Sequence, residues 1–98
     1  MEIILICPFK SEVSIKTSFN IFKLLLKEKI SVSVDRSLFI EFKKIEENIE
    51  IDIFEDLNSS ADFLFCVGGD GSMLKAISFL KRNQIPILGI NIGRLGFL

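Results

Sequence analysis

The sequence predicts an α/β fold: an open parallel sheet, doubly wound, with helices on both faces. Three observations point there. Short, unbroken apolar runs recur at residues 3–7, 63–67 and 86–90, as expected of strands buried on both sides. One-sided helical patterns stand between such runs. The links are short, so successive strands run parallel through right-handed crossovers. The chain has 98 residues, of which 49% are hydrophobic and 26% charged. That is one globular domain, not a disordered chain.

The first apolar run is closed by Pro8. Lys10 and Ser11 then open a helix whose apolar stripe is Ile15, Phe19, Phe22 and Leu26, with Lys16, Lys23 and Lys27 elsewhere on the wheel. It ends near Lys29, and Val32 and Val34 suggest a short second strand. Leu38, Phe39, Phe42 and Ile45 keep helical spacing, with Lys43, Lys44, Glu46 and Glu47 as a solvated face. Ile49, Ile51 and Ile53 alternate with Glu50 and Asp52, the period of a half-exposed strand. Asn58-Ser59-Ser60 reads as a turn. After the run at 63–67 come Gly68-Gly69-Asp70-Gly71-Ser72 and a stripe of Met73, Leu74, Ile77 and Leu80. Ser72 is the expected N-cap of that helix, and Asn83-Gln84 its end. A strand at 86–90 leads to a second glycine-containing turn at 91–98.

Composition removes several functions. Twelve Lys+Arg against 13 Asp+Glu give a formal net charge of −1, which offers no basic face to a nucleic acid. With no histidine, hydrolases using an imidazole base and zinc sites with imidazole ligands are excluded. Cys7 and Cys66 lie in separate apolar runs without a pairing motif, as expected of buried thiols in a reducing compartment. No apolar stretch approaches the length of a membrane span, and Glu2 stands where a signal peptide would carry positive charge. The expectation is a cytoplasmic protein that binds neither membrane nor nucleic acid.

In open α/β sheets, ligands sit beyond the carboxyl ends of the strands. Both glycine clusters fall there, on one edge, so a single ligand could touch both. Glycines let backbone N–H groups approach an anion closely, and a helix N-terminus favours phosphate. The alternative is a tight strand-to-helix turn with no ligand. The lysine-containing phosphate loop is absent, and the dinucleotide fingerprint has Leu74 in place of its third glycine. Asp70 is the informative residue. A carboxylate about 4 Å from a phosphate charge is repelled by roughly 4 kcal/mol at an effective dielectric of 20. An acid there holds a divalent metal against phosphates, takes a proton from an attacking hydroxyl, or caps the helix.

Gly68-Gly69-Asp70-Gly71-Ser72 resembles the Gly-Gly-Asp-Gly-Thr/Ser loop shared by NAD kinases, diacylglycerol and sphingosine kinases, and 6-phosphofructokinases. Asn91-Ile92-Gly93-Arg94-Leu95-Gly96-Phe97-Leu98 resembles the Asn-x-Gly-x-Leu-Gly-Phe-Leu motif of NAD kinases. The likeness lies mainly in residues 62–98. It implies a Rossmann-like, phosphofructokinase-like N-terminal domain over residues 1–98. The implied reaction is ATP- or polyphosphate-dependent phosphorylation of the 2′-hydroxyl of NAD to NADP, with Mg²⁺ or another divalent metal, in a homo-oligomeric complete enzyme.

By motif position, Asp70 corresponds to the catalytic base. Gly68, Gly69 and Gly71, with Ser72 keeping the motif's hydroxyl, form the phosphate-contacting loop; Phe97 packs by the adenine of NAD. Arg94 is a candidate for a phosphate oxygen, and Asn91 for fixing the turn through its amide. No residue is assigned as a metal ligand. Ile92 stands where Thr is common, which removes a polar contact. A related lipid or sugar kinase and a non-catalytic nucleotide-binding module are the alternatives. The family's second, largely β domain lies beyond this sequence, so the chain alone is expected to have little activity and to leave Phe97 and Leu98 uncovered.

Overall fold

A computed structural model describes residues 1–54, 61–80 and 84–92 of the chain. Strand β1 (Glu2–Ile6) lies at the middle of a sheet. Helix α1 (Glu12–Lys27) returns the chain to β2 (Ser31–Val34), and α2 (Arg36–Ile45) returns it to the short β3 (Asp52–Ile53). Beyond β1 on the other side stand β4 (Phe63–Gly68) and, after α3 (Asp70–Leu80), β5 (Ile87–Asn91). The strand order is β3-β2-β1-β4-β5 with every pairing parallel, the doubly wound order of a Rossmann-like domain.

The side-chain period of two explains why β1 reads as an unbroken apolar run. Ile3 and Leu5 join the core beneath α1 and α2, whereas Ile4 and Ile6 join the core beneath α3. The larger core closes on an aromatic cluster. The Phe42 ring of α2 lies 5.1 Å from Phe19 and 5.2 Å from Phe22, both on α1. Aromatic contacts such as the edge-to-face pair of Phe19 and Phe42 contribute about 0.5–1.5 kcal/mol beyond the area they bury.

The α1 stripe is shifted from its expected position. Leu25 is buried and Leu26 exposed, while Ser14 and Ser18 share the inward face. These serines tolerate burial because their hydroxyls are occupied. Ser18 Oγ donates to the Ser14 carbonyl at 2.7 Å, and Ser14 completes a capping box with Ser11. On α2, Leu38 and Phe42 are buried as expected, but Ile45 is exposed in the last turn.

Helix α3 departs furthest from its sequence pattern. Its buried residues are Ser72, Ala76 and Leu80, four apart, while Leu74 and Ile77 face solvent. Small residues at 72 and 76 let the helix settle close to the sheet, and that contact outweighs the larger apolar side chains two residues away. The turn expected at residues 58–60 lies outside the described residues, as do Asn83 and residues 93–98. No described helix is long and apolar enough to cross a membrane.

One helix end is costly by its own chemistry. Lys29 has φ +60°, with its N–H bonded to Leu26 O and the Ile30 N–H to Leu25 O. This is the 6→1, 5→2 termination that normally carries glycine. Holding a side chain there costs about 1 kcal/mol. Lys29→Gly is therefore expected to stabilise the domain by about 0.5–1 kcal/mol, read as a higher urea midpoint at unchanged slope; a lower midpoint would show that the lysine side chain holds the turn.

Candidate functional site

The carboxyl ends of β4 and β5 are adjacent: Gly68 pairs with Asn91, and the Ile92 N–H donates to Gly68 O at 3.2 Å. This brings the first glycine cluster and the start of the second motif to one edge of the sheet, as the sequence predicts. A cleft of about 310 Å³ opens there, lined by Gly68, Gly69, Asp70 and Ser72 on one side and Gly89, Ile90 and Asn91 on the other. Arg94 and Phe97 lie outside the described residues.

Gly68 is required by the backbone. Its φ is +156°, and a Cβ there would overlap the Ser72 hydroxyl and lie 2.7 Å from Ser72 Cβ. The chain can therefore turn from β4 into α3 within one residue only if position 68 has no side chain. Gly69 and Gly71 differ from it. Nothing lies within 4 Å of a Cβ placed on Gly69, and one on Gly71 meets only Phe9 Cε2 at an ordinary 3.6 Å. The strand leading to the second motif has its own close approach, which the sequence did not flag. A Cβ on Gly89 would come within 2.6 Å of Met73 Sδ, so Gly89 lets α3 pack over β5.

The helix starts three residues earlier than expected, at Asp70, with the Ser72 N–H donating to Gly69 O at 3.1 Å. Ser72 is therefore not the N-cap. It lies inside the first turn, 2% exposed, and its Oγ has no hydrogen-bond partner among the described residues. A buried hydroxyl left unsatisfied costs about 1–3 kcal/mol. Asp70 itself is exposed at the cleft, and no hydrogen bond or ion pair to another described residue holds its carboxylate. As the first residue of α3 it benefits from the helix dipole, but it is not tied down as a side-chain cap.

Cys66, 1% exposed, forms part of the cleft floor and donates its thiol to the Ser72 carbonyl at 3.4 Å. Burial, with a smaller contribution from Cys7, pushes its pKa up to about 11. It is a neutral structural thiol rather than a nucleophile. Among the described residues no group of three or more Cys, Asp or Glu side chains is arranged to hold a metal. The loop after β1 comes close to this edge as well: Phe9 Cε2 lies 3.6 Å from where a Cβ on Gly71 would stand, and α1 and α3 leave neighbouring strands on opposite faces of the sheet. Its signal in the sequence was only its place after a strand.

The model for the ATP-NAD kinase N-terminal domain family matches residues 3–98. Among curated proteins, an NAD kinase of Methanosphaera stadtmanae is 38% identical over all of this chain and 34% of its own length. One of Bacteroides fragilis is 43% identical over 81% of this chain and 28% of its own. One of Christiangramia forsetii is 52% identical over 56% of this chain and 19% of its own. The chain thus spans between about a fifth and a third of the length of these relatives.

The Cys66 thiol gives the domain an alkaline limit. Below pH 9 the folded and unfolded states both keep the proton; between the ordinary value of 9.0 and about 11 only the folded state does, so stability falls as pH rises. Urea unfolding from pH 8 to 11 is expected to show a loss smaller by roughly 2 kcal/mol in Cys66→Ala than in the parent chain. Parallel profiles would mean that the thiol is not held neutral.

Proposed function

The chain belongs to the NAD kinase family, and we propose that it supplies the phosphate loop and the catalytic carboxylate of an ATP- or polyphosphate-dependent kinase that converts NAD to NADP. The observation that carries this reading is a pair of glycines the fold does not need. Alanine would suit the first turn of α3 better than Gly71 by about 0.5–1 kcal/mol, and serine would cap it better than Gly69. Neither position is obstructed by the described residues. Glycine at both leaves backbone N–H groups bare on either side of an exposed carboxylate, the arrangement an incoming polyphosphate requires.

On this reading the phosphates of the donor lie over Gly68, Gly69 and Gly71 at the N-terminus of α3. The Ser72 hydroxyl, unpartnered among the described residues, finds an acceptor when a phosphate oxygen arrives and the Gly68 turn adjusts. Asp70 accepts the proton of the ribose 2′-hydroxyl as its oxygen attacks the terminal phosphorus. The phosphorus–oxygen bond to the departing ADP breaks, and Asp70 later releases its proton to solvent. A lone carboxylate beside a phosphate site fits Mg²⁺ that arrives on the nucleotide, where the ion offsets phosphate charge, and does not fit a resident ion in an all-protein cage. We assign Arg94 to a phosphate oxygen, Phe97 to the adenine of NAD and Asn91 to the turn that presents them. Residues 1–98 form the nucleotide-binding domain. A dinucleotide cleft needs a second wall, which we assign to sequence outside this domain; the complete enzyme is expected to be a cytoplasmic homo-oligomer.

Two substitutions test the proposal. Gly71→Ala is expected to raise the melting temperature while weakening tripolyphosphate binding, measured by calorimetry, about tenfold, because the added methyl keeps a phosphate oxygen from closing on the backbone N–H. Unchanged binding would leave the glycines without a ligand. In a complete NAD kinase carrying this domain, Asp70→Asn is expected to lower kcat for NADP formation by about 10²–10⁴ with little effect on KM; retention of kcat would remove Asp70 as the base.

A further inference from the structure

We propose that Phe9, on the loop between β1 and α1, forms an aromatic wall beside the glycine loop that carries Asp70 and takes the adenine ring of a bound nucleotide against its face. The proposal rests on the phosphate-loop reading above and adds a site for the base. It starts from topology. β1 and β4 are hydrogen-bonded neighbours, and the helices that follow them pack on opposite faces of the sheet. A crevice forms at such a point, bounded by the two loops that leave the strands. The glycine loop at residues 68–71 follows one of these strands and residues 7–11 follow the other.

The Phe9 ring reaches across this boundary. Its Cε2 lies 3.6 Å from the point where a Cβ on Gly71 would stand, so the ring rests beside the glycine loop. Its backbone is tied down on either side. Ser14 Oγ donates to the Phe9 carbonyl at 3.4 Å, and Lys10 Nζ donates to the Cys7 carbonyl at 3.0 Å. The Ser11–Ser14 capping box fixes the start of α1 directly behind it. Phe9 is therefore held in place by the fold.

Its side chain is nevertheless left in water. Phe9 is 58% exposed, whereas Phe22 is 1% and Phe42 0% exposed. No described aromatic ring stacks with it, although Phe19, Phe22 and Phe42 pack on one another. A phenyl ring fixed in position with a free face gives up apolar burial of about 25 cal/mol per Å², which a ligand could recover. Phenylalanine offers no hydrogen bond, so the fitting ligand is flat and heteroaromatic and is recognised by stacking. A nucleotide whose phosphates lie along residues 68–71 carries such a ring. Adenine occurs in both ATP and NAD, and the experiment separates them.

The 98-residue chain is titrated with ATP, NAD and tripolyphosphate by calorimetry, as the parent, Phe9→Ala and Phe9→Tyr. The expected result is that ATP or NAD binds about tenfold more weakly to Phe9→Ala, recovers in Phe9→Tyr, and tripolyphosphate binds all three alike. A loss for ATP alone assigns the wall to the donor, and a loss for NAD alone to the acceptor. The melting temperature of Phe9→Ala is expected to match the parent's. The proposal is overturned if neither nucleotide is weakened, if tripolyphosphate loses as much, or if Phe9→Ala melts several degrees lower. Failure of the parent to bind tripolyphosphate strikes the phosphate-loop reading instead, and the comparison of ATP and NAD between parent and variant still decides Phe9.

Discussion

The site depends on the close approach of the Gly68 backbone to the side chain of Ser72. Because position 68 has no Cβ, β4 passes into α3 within one residue and the helix settles directly onto the sheet. That turn sets the position of Asp70 and aims the first turn of α3 at the space beyond the strands. Helix α3 packs on the face opposite α1, and the cleft opens between the carboxyl ends of β4 and β5. A methyl group at residue 68 would force helix and strand apart, and the carboxylate would move with the helix.

Several local features are less stable than the fold could make them, and they gather at the same edge. Gly71 occupies a helical turn where alanine would do better, the Ser72 hydroxyl is buried without a partner among the described residues, and Phe9 keeps its ring in water. Sequences agree with their folds at most positions and depart from local preference where a site needs it. The interior beneath α1 and α2 shows the agreement: a three-ring cluster, satisfied buried serines and a capped helix start. The contrast between these two regions supports the proposed site independently of any motif.

The fold class was legible because β1 is buried on both faces, so its apolar run had no polar interruption. The glycine cluster and Asp70 were legible because few residue types can turn a strand into a helix at a sheet edge. What misled was the pattern of apolar residues on α3. Leu74 and Ile77 fit a helical stripe, but small residues at 72 and 76 approach the sheet more closely and turn them outward. On α1, Leu25 rather than Leu26 faces inward because the capping box at Ser11 sets the helical phase and commits Ser14 and Ser18 to the interior. Phe9 carried no signal beyond its place after a strand, since the residue it stands beside, Gly71 of α3, lies far along the chain.

The two cysteines end on neighbouring strands but on different sides of the sheet. Cys7 joins the core under α1, and Cys66 the core under α3. Sulfur atoms whose bonds point away from each other through a layer of backbone cannot form a disulfide without tearing the ladder between β1 and β4. Oxidants that crosslink thiols would therefore find no internal bridge to make between these two residues.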